Sequence, residues 1–332
     1  MSFGVGGKMK QLILGDPHVM VTNLEESERL LRFVLEQART NKVDRLVIMG
    51  DLFHTHANVR VEVLEFWDRW LDILDSLNET IVLVGNHDQI GNYSSKSHAL
   101  SVLNNKHEFV RIVSSPVSFG VFGFIPYIHD KTEFAKEANR LTAAGAKTLF
   151  VHQDLDGAQY ENGFYAPDGV KQEDLNCDLI IGGHIHKRSR FGKVILPGTA
   201  RWLTSSDKNE PKGLWLAEFD SEGKILKEEF LDTSHVCTPI YAYQFKEGDN
   251  DPVIPEGSRA SVELVGSSIW VSQMKAKFKG IASVSSKITD KAKPANRKTG
   301  NNFDDWISRV YTCSTGVQKD RMVGLMKEWG VL

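Results

Sequence analysis

Residues Ile81 to Ile90 read IVLVGNHDQI, so that four strand-forming apolar residues run straight into an amide, an imidazole and a carboxylate. A continuous apolar run suits a strand covered on both faces, where alternation is not required. The polar triad then stands where that strand leaves the core. The same arrangement recurs along the chain in QLILG (11–15), RLVIMG (45–50), TLFV (148–151) and DLIIGG (178–183). Each run ends in groups able to hold a metal ion. In chain order these are Asp16 and His18, Asp51 and His54, Asn86, His87 and Asp88, His152, and His184 and His186.

Helical patterns lie between the runs. Asn23 reads as a cap with Glu26 as its reciprocal acceptor, followed by Leu30, Leu31, Val34, Leu35 and Ala38 on one side. A second helix carries Val63, Phe66, Trp67, Trp70, Leu71 and Leu74 at spacings of three and four, an aromatic stripe that reads as core packing. A third, opened by Thr132, runs through Phe134, Ala138 and Leu141. Alternating strands and helices predict an α/β domain whose sheet is covered on both faces, with ligands bound beyond the carboxyl ends of its strands. In Asp16-Pro17-His18 the proline favours an extended residue before it. Extended chain then aims residues i and i+2 to one side, as it would for His184 and His186.

The donor set decides the chemistry. Oxygen ligands alone would favour magnesium and thiolates structural zinc, whereas mixed imidazole, carboxylate and amide groups suit manganese, iron or zinc with positions left for water. Enough candidates are present for two ions. Two ions about 3.5–4 Å apart stabilise both the entering and the leaving oxygen of a displacement at phosphorus. Phosphoester hydrolysis is the natural reaction.

Together, Asp16-x-His18, Gly50-Asp51-x-x-His54, Gly85-Asn86-His87-Asp88, His152 and Gly183-His184-x-His186 resemble the motif set of the calcineurin-like metallophosphoesterases, over residues 11 to about 220. Within that superfamily, GDLFH, the FIPY of Phe124 to Tyr127, and GGHIH followed by LPGTARWLTSSDKNEPKGLW resemble the nuclease subunits of SbcCD-type double-strand-break repair complexes. The likeness is closer still to the recombination endonuclease subunits of T-even-like phages. The resemblance implies a four-layer α/β/β/α sandwich with a smaller α+β cap: a nuclease domain over residues 1–232, a DNA-binding cap over 233–300 and a helical tail over 301–332. It implies one ion on Asp16, His18, Asp51 and His186 and another on Asp51, Asn86, His152 and His184, with Asp51 bridging and water activated by the pair attacking phosphorus. His87 would protonate the departing sugar oxygen with Asp88 orienting it. His54 would sit near the scissile phosphate or support it from behind. Manganese, duplex DNA ends, exonuclease with possible endonuclease action, an SMC-like ATPase partner and a homodimer complete what is implied. The Arg60 to Leu74 helix region is the candidate dimer surface.

Charge is distributed to suit an anionic partner met locally. The chain has 332 residues and a net charge of −3, yet residues 271–300 carry Lys275, Lys277, Lys279, Lys287, Lys291, Lys293, Arg297 and Lys298 against Asp290 alone. That segment is +7 and the remainder −10. Its lysines are candidates for phosphate contacts, and a solvated linker is the plainer reading. Before it, the chain from Asp232 to Phe245 reads as a new strand, residues 247–258 as a turn-rich loop and SRASVELVG as a half-buried strand.

In the tail, Trp306, Ile307, Val310, Met322, Leu325, Met326 and Trp329 offer apolar surface for packing on the cap or for docking an ATPase. The chain itself has no GxxxxGK[ST] loop, so ATP dependence would come from that partner. Cys177, Cys237 and Cys313 fit neither a disulfide framework nor a thiolate zinc site. No apolar run approaches the ~18–20 residues of a membrane span and MSFGVGGKMK is no signal peptide, so the cytoplasm, a host's if the gene is a phage's, is expected. Two other functions fit the same fold. A phosphatase for small or protein phosphoesters would need no duplex-tracking surface, and a non-catalytic scaffold would be expected to lack ligands that are all present here.

Overall fold

The computed structural model describes residues 7–56, 58–91, 97–103, 106–160, 162–166, 168–250 and 252–290. The chain opens with β1 (Met9–Leu14), α1 (Leu24–Thr40), β2 (Arg45–Ile48), α2 (Val61–Leu74), β3 (Thr80–Leu83) and β4 (Val110–Val113). It continues through β5 (Val117–Phe119), β6 (Phe122–Ile125), α3 (Lys131–Ala143), β7 (Thr148–His152), β8 (Leu179–Gly183), β9 (Ser189–Phe191) and β10 (Val194–Leu196). An antiparallel pair, β11 (Gly213–Phe219) and β12 (Ile225–Asp232), follows. Last come β13 (Ile240–Lys246), β14 (Arg259–Gly266), α4 (Ser268–Lys277) and β15 (Ser283–Ile288).

The five motif-bearing strands belong to two sheets, not one. β1, β2 and β3 lie in the order β12-β11-β1-β2-β3-β4, while β7 and β8 lie in the order β5-β6-β7-β8-β10-β9. Ile13, Val47, Met49, Ile81 and Leu83 of the first sheet pack against Phe122, Phe124, Phe150 and Ile181 of the second. The outer face of the first sheet is covered by α1 and α2 through Leu30, Val34, Trp67, Trp70 and Leu71, and that of the second by α3 through Phe134, Ala138 and Leu141. This is a four-layer α/β/β/α sandwich. A strand facing a sheet on one side and a helix on the other is as uniformly apolar as one between two helix layers, so the sequence could not distinguish the two plans. Each fully buried Leu or Phe contributes about 1.5–3 kcal/mol, and the aromatic stripe of α2 belongs to that core.

Local readings are corrected at three places. β1 begins at Met9, two residues before the expected Gln11. Asn23 stands at the start of α1 without capping it. Its amide donates to the His18 carbonyl at 3.1 Å, and Glu26 accepts from the Thr238 N–H at 3.0 Å instead of closing a capping box. The preceding 3-10 turn, Val21–Asn23, leads into the helix, which frees both side chains for longer-range work. For α3 the cap is Asp130, which accepts from the N–H groups of Thr132 and Glu133.

The third sheet, β13-β14-β15, is parallel and covers its own small core of Phe245, Val262, Leu264, Val271 and Phe278. The half-buried strand read in SRASVELVG is β14. Residues 271–290 are not a linker, since they form most of α4 and all of β15. Lys275, Lys277, Lys279 and Lys287 are exposed there. Lys291, Lys293, Arg297, Lys298 and the tail 301–332 lie outside the described residues. Among the described residues no helix is long and apolar enough to cross a membrane.

Candidate metal centre

Parallel pairing within each sheet sends its strand ends to one edge, and the two edges meet. All seven candidate ligands come together there. His18 Nε2 lies 3.0 Å from His186 Nε2, His152 Nε2 3.0 Å from Asn86 Oδ1, and His184 Nδ1 2.8 Å from the same amide oxygen. Asp51 joins the halves, because its Oδ2 is 3.5 Å from His18 Nε2 and 3.3 Å from His152 Nε2. Asp16, His18 and His186 form one group whose ligating atoms fall within 4.8 Å of each other, and Asp51, His152 and His184 a second.

The convergence is not produced by extended i, i+2 geometry. His18, Asp51 and His184 have φ of 43°, 51° and 77°, in the left-handed region that costs a non-glycine residue of order 1–3 kcal/mol. Cross-links hold these turns in place. The N–H groups of His18 and Val19 donate to the carbonyls of Asp51 and Leu52 at 2.9 Å each. The His184 N–H donates to Asp16 Oδ2 at 2.7 Å and the His87 N–H to Asp51 Oδ1 at 2.8 Å. The glycines before the ligands permit close approach. A Cβ on Gly50 would stand 2.5 Å from His152 Nδ1, and one on Gly85 would stand 2.1 Å from Asp51 Oδ1.

The donors fit divalent cations. His152 Nδ1 faces the Met49 carbonyl at 2.7 Å, so it carries a proton, and Nε2 is the atom turned toward Asn86 Oδ1 and Asp51 Oδ2. Asp16 Oδ1 is buried with no hydrogen-bond partner. Burial pushes the Asp16 carboxyl up to about 6, a shift that His152 opposes and the Asp51 charge reinforces. Burial would lower His152, yet Asp51 and Asp16 outweigh it and raise the imidazole to about 10. The buried carboxylates thus keep a proton on His152 where a cation would sit. Because the folded-state value of His152 lies above neutrality, binding of cations through its Nε2 must displace that proton. Affinity is therefore expected to rise with pH, by about tenfold per unit for each proton released. Calorimetric titration in buffers of different ionisation enthalpy measures the protons, and an affinity independent of pH would contradict this account.

His87 lies beside the ligands. Its Nδ1 is 2.6 Å from the His54 carbonyl, and its ring meets His18 edge-on at 4.8 Å. Burial lowers its pKa, against the Asp51 charge and the His54 carbonyl, which raise it. Asp88 does not orient it. The Asp88 carboxylate accepts the N–H groups of Phe53 at 3.1 Å and Gly85 at 2.8 Å, tying the β2 and β3 turns together, and burial followed by the Asp51 charge pushes it up to about 8. His54 belongs to the same cluster, grouped with His18 and His87 within 4.8 Å. His56, which lies outside the sequence motifs, stacks on the His87 ring at 4.1 Å with its Nδ1 2.9 Å from the Asn86 carbonyl.

Other supports also escaped the sequence reading. The buried Arg201 guanidinium donates to the His18 carbonyl at 2.7 Å and to Ser27 Oγ at 2.8 Å. Buried Lys212 donates to the His186 carbonyl at 2.9 Å and pairs with Asp207 at 2.5 Å. Both lie in the stretch LPGTARWLTSSDKNEPKGLW, whose polar residues have no periodicity to mark them. Asp154 is 3.2 Å from His184. Burial works to raise its pKa, but hydrogen bonds with His184 and Tyr160 bring it down to about 2.

Comparison with known proteins agrees with this geometry. A putative phosphoesterase, 244L, of Invertebrate iridescent virus 6 is 31% identical over 242 residues, 69% of this chain and 84% of that protein. Exonuclease subunit 1 of Enterobacteria phage T4 is 27% identical over 256 residues, 72% of each chain. A putative phosphoesterase, 078R, of Invertebrate iridescent virus 3 is 29% identical over 202 residues, 57% of this chain and 56% of its own length. Residues 9–188, which span every ligand above, match the calcineurin-like phosphoesterase family, and the chain belongs to it.

Proposed function

We propose that this phosphoesterase is a manganese-dependent DNA nuclease that hydrolyses phosphodiester bonds at duplex ends, as an exonuclease with endonuclease capacity, in repair or recombination alongside an SMC-like ATPase. The observation that carries the reading is the convergence of the seven candidate ligands, accompanied by the small sheet β13-β14-β15 and its helix α4, which together with the turn between α4 and β15 display Lys275, Lys277, Lys279 and Lys287. The likeness to the phage T4 exonuclease subunit over 72% of both chains supports DNA as the substrate. On this reading residues 1–232 are the nuclease domain, 233–300 a DNA-binding cap and 301–332 an ATPase-docking tail. A homodimer would form through α2, and the site of action would be the cytoplasm.

Asp16, His18, Asp51 and His186 would hold one ion and Asp51, Asn86, His152 and His184 the other. Two divalent cations held there lower the pKa of water and neutralise charge building on the phosphoryl group. The remaining chemistry is assigned to the chain. In its imidazolium form His87 keeps Nδ1–H on the His54 carbonyl and gives the proton of Nε2 to the departing sugar oxygen, returning to the neutral ring. His56 keeps the ring in plane by stacking, and Asp51 Oδ1 fixes the His87 backbone. His54 is placed to meet the scissile phosphate.

Purified protein with manganese should shorten linear duplex DNA. Hydrolysis of a simple aryl phosphomonoester without action on DNA would instead favour the small-molecule phosphatase, and activity on neither would favour a scaffold.

A further inference from the structure

His184 is restrained at every edge of its ring. One nitrogen, Nδ1, faces Asn86 Oδ1 at 2.8 Å, and the other, Nε2, lies 3.2 Å from Asp154 Oδ2. Tyr127 stacks on its face at 5.8 Å with 30° between the planes. The second oxygen of Asp154 accepts the Tyr160 hydroxyl at 2.5 Å. Asp154 is itself pinned, because its carbonyl accepts the Val170 N–H at 2.8 Å, and the Asp156 N–H returns to the Val170 carbonyl at 2.9 Å. The carboxylate therefore sits on a braced turn immediately after β7, two residues past His152.

This geometry selects a tautomer. A carboxylate oxygen only accepts, so Nε2 bears the hydrogen and Nδ1 presents a lone pair. Opposite Nδ1, Asn86 Oδ1 also presents a lone pair, as does His152 Nε2 at 3.0 Å from that oxygen once its proton is displaced. Lone pairs gathered at such distances are reconciled by a cation between them. A carboxylate behind a ligating imidazole makes it a stronger donor and fixes its orientation.

We infer that Asp154, braced by Tyr160, is a positioning residue for His184 and tunes the ion held by Asn86, His152 and His184 without touching it. The inference deepens the reading of this site as a two-ion centre and rests on that reading. It differs from the role of Asp88, whose carboxylate serves backbone N–H groups.

Manganese(II) alone is the probe, titrated by calorimetry and by electron paramagnetic resonance into the wild-type chain, Asp154→Ala, Asp154→Asn and Tyr160→Phe. The wild type should bind two ions, with the spectrum of a coupled pair. Asp154→Ala should keep the first ion and bind the second about 10–100-fold more weakly, replacing the coupled signal with that of an isolated ion. Asp154→Asn, which retains an accepting oxygen and the side-chain volume, should lie between, and Tyr160→Phe should lose only a few-fold. If the alanine variant melts below the assay temperature, the near-isosteric asparagine variant carries the test. Two ions bound as tightly in Asp154→Asn and Asp154→Ala as in the wild type, or both ions weakened alike, would overturn the inference. A wild type that takes up fewer than two ions would instead refute the two-ion reading itself.

Discussion

Asp51→Asn should bind neither ion tightly, lose the rise in melting temperature that manganese gives the wild type, and hydrolyse phosphodiesters at least about 10²–10³-fold more slowly, the cost of deleting one preorganised charge-stabilising group. The choice of asparagine isolates the charge. Asp51 has φ of 51°, a conformation asparagine tolerates better than most residues, so the turn after β2 should survive. What disappears is the anionic Oδ2 that stands between His18 Nε2 at 3.5 Å and His152 Nε2 at 3.3 Å, one nitrogen from each half of the centre. A ligand belonging to one half alone would be expected to cost one ion first.

The sign of the stability change sharpens the test. In the metal-free chain burial works against the Asp51 charge, but His152 and then His18 hold its carboxyl well below the usual carboxylate range, and the same charge helps to raise His152. Removing that charge should therefore lower the metal-free melting temperature at neutral pH and also remove the gain on adding metal. Thermal melts with and without manganese read both effects. A variant that still gains stability from manganese and still turns over would remove Asp51 from the bridging position.

The ligands themselves were legible because each ends an apolar run, and an apolar run of four or five residues has few places to go but a covered strand. Gly50 and Gly85 stand just before ligands in the motifs, but the sequence could not say that a Cβ there would strike His152 or Asp51. The division of the strands between two sheets was not legible from pattern alone. Ile13 and Phe150 belong to the one core between the two sheets, and nothing in either run distinguishes a sheet neighbour from a helix neighbour.

The positive φ values of His18, Asp51 and His184 were equally hidden. They are imposed by cross-links such as His18 N–H to the Asp51 carbonyl, between residues far apart in the chain. The same holds for Arg201 and Lys212, whose targets, the carbonyls of His18 and His186, carry no sequence signal because every residue has one. The resemblance implies that Asp88 orients His87, whereas its two carboxylate oxygens accept the backbone N–H groups of Phe53 and Gly85, contacts that likewise carry no sequence signal.

His87→Ala should leave both ions bound and lower turnover on DNA by about 10²–10⁴-fold, the range of a lost general acid. The separation of the two effects follows from position. His87 Nδ1 is committed to the His54 carbonyl, and its ring meets His18 through an edge, so removing the imidazole leaves every contact among the seven ligands in place. The backbone N–H that donates to Asp51 Oδ1 also remains in alanine. Leaving-group dependence then distinguishes a proton donor from a support. A sugar oxygen needs a proton to depart, whereas p-nitrophenolate is stable without one. The alanine variant should therefore recover most of its activity on bis(p-nitrophenyl) phosphate, and its turnover on DNA should no longer fall as rising pH removes the His87 proton. Loss of metal occupancy would make His87 a ligand, and an equal loss on both substrates would make it a scaffold for the site; either result would reassign the acid to another of the clustered histidines, with His54, grouped with His18 and His87, the first to test.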